Sequence, residues 1–201
     1  MATDPDFFVM LLKALYSGEG GNETALTGEA LENAERIASQ AFHVFEDWSR
    51  IPGSNDDGTI DGAKLSAWVE RVRAASAEAY RGRIADYRIG VLLSAAPRTD
   101  GQAWPPEPVR DVIETVANDD IDQGFLIGRF NRRGVTTRMP NDGGDQERDL
   151  AARYRADAKA SALLWPRTRA VLAKIAKGSQ ADAVRADQSA ETGDSAGRWE
   201  E

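Results

Sequence analysis

The sequence predicts an all-α fold: an irregular bundle of six to eight helices, suited to the capping end of a helical array, with a disordered acidic carboxy-terminal tail. Three observations predict it. Apolar residues recur at steps of three and four through most of the chain, the spacing of one helix face. No run of β-branched residues alternates with period two, as a half-buried strand would. Prolines, glycines and short acidic clusters punctuate the apolar segments at intervals suited to helix starts and stops.

Taken in order, Asp4 followed by Pro5 reads as a helix start, an acidic N-cap before proline at the first helical position. Phe7, Phe8, Leu11, Leu12 and Leu15 make the helix that follows very apolar, up to Gly18. It needs a partner, and docking on the next two helices supplies one; in a fragment it would instead continue a longer array. Residues 17–27 are rich in glycine but acidic, and no lysine or serine follows at the spacing of a phosphate-binding loop, so they read as a linker.

The stretch from Thr27 to about Tyr80 reads as helix, acidic turn, helix. Leu31, Ala34, Ala38, Ala41, Phe45 and Trp48 lie on one face of the first helix, widened by Ile37 and Phe42. His43 falls on the opposite face with Ser39, Asp47 and Arg50, so it is expected in solvent rather than in catalysis. Asp61 is a plausible N-cap for the second helix, which carries Leu65, Trp68, Val69 and Val72. Two such stripes should close as an antiparallel pair and seed the core.

The turn between them resembles part of a calcium loop, with Asn55, Asp57, Gly58, Ile60 and Asp61 at fitting positions. Gly53 and Lys64 occupy the two end positions, where the motif needs an aspartate and a bidentate glutamate. A polar turn with a helix cap is therefore expected, and no metal.

Beyond a break near Gly82, Ile84, Val91, Leu92 and Ala95 form a further stripe ending at Pro97. Arg71, Arg73, Arg81, Arg83 and Arg88 alternate with Glu70, Glu78 and Asp86 as on a solvated, ion-paired face. Trp104-Pro105-Pro106-Glu107-Pro108 gives a stiff entry to a helix with Val109, Val112, Ile113 and Val116. Asp119 or Asp120 should cap another through Ile121, Phe125 and Ile127.

Residues 128–138 hold Arg129, Arg132, Arg133 and Arg138, two glycines and Phe130, and no acid. Arginine forks suit phosphates and carboxylates, and Phe130 could stack on a base. The acids Asp142, Asp145, Glu147 and Asp149 follow, however, and an internal network of ion pairs is the favoured reading. A helix over about 144–162 and a last one through Val171, Leu172 and Ile175 complete a single domain, residues 1–178. Residues 179–201 lack large apolar side chains in number and read as the disordered tail, with Trp199 incidental.

Composition narrows the classes. The chain has 201 residues, no cysteine and one histidine, which excludes disulfides, thiolate chemistry and histidine-rich metal sites. No apolar run approaches the ~20 residues that span a bilayer, so no membrane partner is expected. Acids rather than cations stand near the first residue, and the expected location is the cytoplasm. The net charge of −8 is uneven: residues 1–62 carry 3 basic and 12 acidic side chains, residues 63–176 carry 19 and 15. An acidic protein repels phosphate over most of its surface, which disfavours nucleic acid as a general partner.

The motifs Pro5-Asp6-Phe7-Phe8, Trp48 through Gly53, Asp57-Gly58-Thr59-Ile60-Asp61, Gly124-Phe125 through Gly134, Gly143 through Arg148 and Trp165-Pro166-Arg167-Thr168 together resemble the carboxy-terminal part of large multidomain bacterial proteins of uncharacterised function. The resemblance covers nearly all of the expected helical domain. It implies a terminal helical module and assigns no catalytic residue.

Function is thus expected to be non-catalytic: a helical interaction or scaffolding module, the terminal part of a larger protein, partnered by another protein or another domain of its parent chain. No cofactor is expected. The alternative is binding of an anion or single-stranded nucleic acid through Arg129, Arg132, Arg133 and Arg138. An enzyme would need a nucleophile elbow, a phosphate loop or a metal spacing, and none occurs in the sequence.

Overall fold

The structure, a computed structural model, describes residues 4–20, 26–132 and 144–197, the last seven of these as backbone alone. Among the described residues there are eight helices and no strand: α1 Pro5–Leu15, α2 Glu29–Asp47, α3 Gly62–Glu78, α4 Gly82–Leu93, α5 Glu107–Val116, α6 Asp119–Asn131, α7 Asp145–Ala160 and α8 Pro166–Gly197. The fold is all-α. The chain divides into two compact units, Met1–Arg129 and Phe130–Glu201, where the sequence suggested a single domain to residue 178. The reason is local: α7 and α8 pack on each other along most of their length and make a body of their own.

In the first unit, Asp4 caps α1 by accepting the Asp6 N–H at 3.0 Å, and Pro5 opens the helix. Phe8 stands at the centre. Its ring meets Phe45 of α2 at 5.1 Å, Trp48 at 5.5 Å and Trp68 of α3 at 5.0 Å, each edge to face. Such pairs add about 0.5–1.5 kcal/mol each beyond area burial. The expected direct pairing of α2 with α3 is replaced by packing of α1 on each of them, and the Phe8 ring of α1 joins the two.

Asp61 caps α3 through the Lys64 N–H at 3.0 Å, and Leu65, Trp68, Val69 and Val72 are buried, as their spacing requires. The chain leaves α3 through Tyr80 in the left-handed conformation, φ 54°. The arginine-rich face expected in solvent is partly internal. Arg73 pairs with buried Asp86 at 2.8 Å, and Arg88 packs over the Phe45 ring at 5.1 Å while donating to the Tyr16 hydroxyl. A guanidinium can do this because its planar face tolerates burial against a ring while its edge stays hydrogen-bonded.

Glycines let α4 and α6 cross closely. A Cβ on Gly124 would stand 1.9 Å from the Tyr87 carbonyl oxygen, and one on Gly90 would stand 2.1 Å from that of Ile121. Trp104 is fully buried beside Phe125 at 5.3 Å, and its indole N–H donates to the Ala96 carbonyl at 2.9 Å. The cap of α6 is Asn118, which accepts from the Asp120 N–H at 2.7 Å; Asp119 and Asp120, expected as caps, lie in the first turn and complement the helix dipole.

In the second unit α7 and α8 run antiparallel, with Ala151, Tyr154, Val171 and Leu172 buried. Near the α7 start, a Cβ on Gly144 would stand 2.3 Å from the Ala183 carbonyl oxygen, so only glycine permits this approach. Helix α8 runs past residue 178, where the sequence set the start of the tail, and Ser179, Ala183 and Ala186 are buried. Small residues suffice there because the helices lie close together. Residues 198–201, Trp199 among them, fall outside the described residues.

Candidate functional site

Of the four arginines singled out by the sequence, two are described. Arg129, in the last turn of α6, places its guanidinium 4.8 Å from the centroid of the Trp104 ring, and Arg98 approaches the same ring at 5.5 Å. That contact ties Arg129 to a core side chain. Arg132 is exposed just beyond α6, and Arg133 and Arg138 lie outside the described residues. Of the acids expected as their partners, Asp149 is exposed and one is engaged elsewhere. Asp145 pairs with Arg148, Arg148 pairs with Asp187 at 2.6 Å, and Glu147 is buried. Asp142 lies outside the described residues.

The calcium-like loop spends its acids on itself. Asp57 accepts from the Thr59 N–H at 2.9 Å and from its hydroxyl at 2.6 Å, which holds the carboxyl below its usual range. Asp61 is likewise held low, chiefly by the Lys64 backbone N–H. Ser54 and Ile60 bridge within the loop. Among the described residues no three carboxylate or imidazole side chains converge as a metal site would require. His43 is exposed, its ring 5.9 Å from that of Phe42.

Two concavities stand out among the described residues. In the first unit, a pocket of about 650 Å³ is lined by Tyr16, Tyr87, Arg83, Glu19 and Asp120. Its charges are spoken for: Glu19 accepts the Arg83 N–H at 3.0 Å, and the Arg83 side chain meets Asp120 at 3.5 Å. In the second unit, a groove of about 710 Å³ runs between α7 and α8. Arg155 and Lys159, one helical turn apart, stand on its α7 side; Arg169 and Lys177, two turns apart, stand on its α8 side. No carboxylate lines it.

The groove floor is alanine. Ala158 and Ala176 are buried at its base, with Ala173 and Ala181 exposed along α8. Among the described residues, Arg155 bonds only to the uncharged Gln180, at 2.8 Å, and Lys159, Arg169 and Lys177 have no carboxylate partner. At the α7–α8 turn, Leu163 and Leu164 are 94% and 71% exposed and extend the apolar surface beyond Ala162. Four unneutralised cations around a methyl-lined trough form a surface complementary to something both apolar and acidic. No local pattern joins these residues, because they are divided between two helices; the signal in the sequence is the recurrence of basic residues and alanine at steps of three and four on one face of each.

Comparison with family models, with curated proteins and with solved structures finds no match to the chain.

Proposed function

We propose that the chain is a helical interaction module whose docking surface is the α7–α8 groove, and that its partner presents an acidic amphipathic helix. The partner is another protein or another domain of a parent chain. The observation that supports this most is the ring of Arg155, Lys159, Arg169 and Lys177 around an alanine floor with no acid among the lining residues. Alanine lets a helix axis approach to about 8 Å, the short end of the usual range. The span from Arg169 to Val184 accommodates about four turns, roughly 22 Å of partner helix.

Magnitudes divide the roles. Exposed ion pairs contribute about 0.2–1 kcal/mol each, so the four cations set orientation and discrimination while apolar burial supplies most of the affinity. Nucleic acid suits the groove less well, because single strands bind through stacked aromatic rings and the groove lining contains none. Arg129, engaged on Trp104, also favours protein docking over the arginine-loop alternative.

The test is a fluorescence-anisotropy titration of the full chain into a labelled helical peptide with a leucine–alanine face flanked by glutamates. Saturable, salt-sensitive binding is expected, lost for the same peptide with lysines in place of glutamates. Equal binding of both peptides, or no saturation with either, contradicts the proposal.

A further inference from the structure

The first twelve residues of α2, Glu29 to Gln40, contain no buried residue; the helix first meets the core at Ala41 and Phe45. A free helix of that length is marginal in water, since helices in proteins are stabilised mainly by burying an apolar face. This half nevertheless carries such a face: Leu31 and Ile37 are 43% and 47% exposed, with Ala34 and Ala38 half-buried between them. Acids surround it. Glu29, Glu32 and Glu35 lie along this half against one cation, Arg36. It is the acidic amphipathic helix that the groove calls for.

We infer that the occupant of the α7–α8 groove is the projecting half of α2 from a second copy of this chain, so that the protein self-associates head to tail; the inference rests on the groove reading above. Lengths agree. Twelve helical residues extend about 18 Å, within the roughly 22 Å along the groove. Charge selects this pairing over the symmetric ones. Packing α2 on α2 sets Glu29, Glu32 and Glu35 against their own copies, and packing groove on groove opposes two sets of four cations. Only α2 against the groove brings opposite signs together on apolar floors. Because the two surfaces are different patches, each contact pairs unlike faces, and the assembly is a reciprocal two-fold pair, a ring or an open chain.

The test uses two variants of the full chain, Glu32→Lys/Glu35→Lys and Lys159→Glu/Lys177→Glu, followed by sedimentation velocity over a concentration series. All four side chains are exposed, and circular dichroism checks that each variant folds. The wild type should gain mass with concentration and lose that gain in high salt, a readout that needs no variant. Each variant alone should remain monomeric: the first sets a basic α2 against a basic groove, and the second cancels the groove's positive charge, leaving Arg155 and Arg169 against two glutamates. An equimolar mixture should associate again, since the unaltered groove of the first variant accepts the unaltered α2 of the second. A monomeric wild type, a mixture that stays monomeric, or continued association of Lys159→Glu/Lys177→Glu through α2 alone would overturn the inference. A monomeric wild type that still binds the acidic peptide would remove self-association and leave the groove reading standing.

Discussion

Arg148 of α7 and Asp187 of α8 meet at 2.6 Å, and the same Asp187 carboxylate accepts the Gly144 N–H at 2.8 Å. One side chain thus fastens the start of α7 to a part of α8 that lies nine residues beyond Gly178. The Arg148 guanidinium, first, and the Gly144 N–H hold the Asp187 carboxyl below its usual range. A depressed carboxyl pKa contributes stability that is present above the unfolded value of about 3.9 and is lost as pH falls through the folded value. Asp187→Asn should therefore lower amide protection of residues 180–190 at neutral pH and flatten its decline in acid. Unchanged exchange in the variant would show the pair to be incidental.

Truncation after Gly178 should destabilise the second unit, since it removes the buried Ser179, Ala183 and Ala186 together with Asp187. A fall in melting temperature on the order of 5 °C is expected by calorimetry. A melting curve identical to that of the full chain would mean that this half of α8 holds nothing.

Gly124→Ala tests the close crossing of α4 and α6. Helix propensity alone would favour alanine by about 1 kcal/mol, but the new Cβ would stand 1.9 Å from the Tyr87 carbonyl oxygen. Overpacking of this kind costs typically about 1–3 kcal/mol and involves backbone on both sides, so sterics should win. Chemical denaturation should show net destabilisation; a more stable variant would contradict the geometry.

Arg129→Ala should lower stability by about 0.5–1 kcal/mol, the usual size of a cation–π contact at a partly exposed site, and should alter tryptophan fluorescence through Trp104. A change in anion binding with no change in either signal would return Arg129 to the role of ligand.

Helix caps were the most legible features. Asp4, Pro5 and Asp61 stand where their chemistry requires, because a cap depends on a few adjacent residues. Trp68, Val72, Ile113 and Phe125 are buried as periodicity predicts. Leu31, Ile37 and Phe42, on the stripe that the same periodicity assigns to the core face of α2, are exposed because that helix meets the core only at Ala41 and Phe45. Buried small residues were not legible. The buried face of late α8 is Ser179, Ala183 and Ala186, whose hydropathy scarcely differs from that of a solvated segment, so composition suggested a tail. The place of Phe8 between two helices, and of Asn118 rather than Asp119 as a cap, depends on packing that no local pattern carries. The groove belongs to the same class: Arg155 and Lys159 gain meaning only when α8 turns back to bring Arg169 and Lys177 beside them.

The measurement that bears most directly on the central claim is hydrogen exchange of the full chain with and without the acidic amphipathic peptide at saturation. Protection gained over residues 155–162 and 169–184, and abolished by the groove-filling substitution Ala173→Trp, is the predicted result. Protection appearing elsewhere, or persisting in Ala173→Trp, would contradict a docking site between α7 and α8.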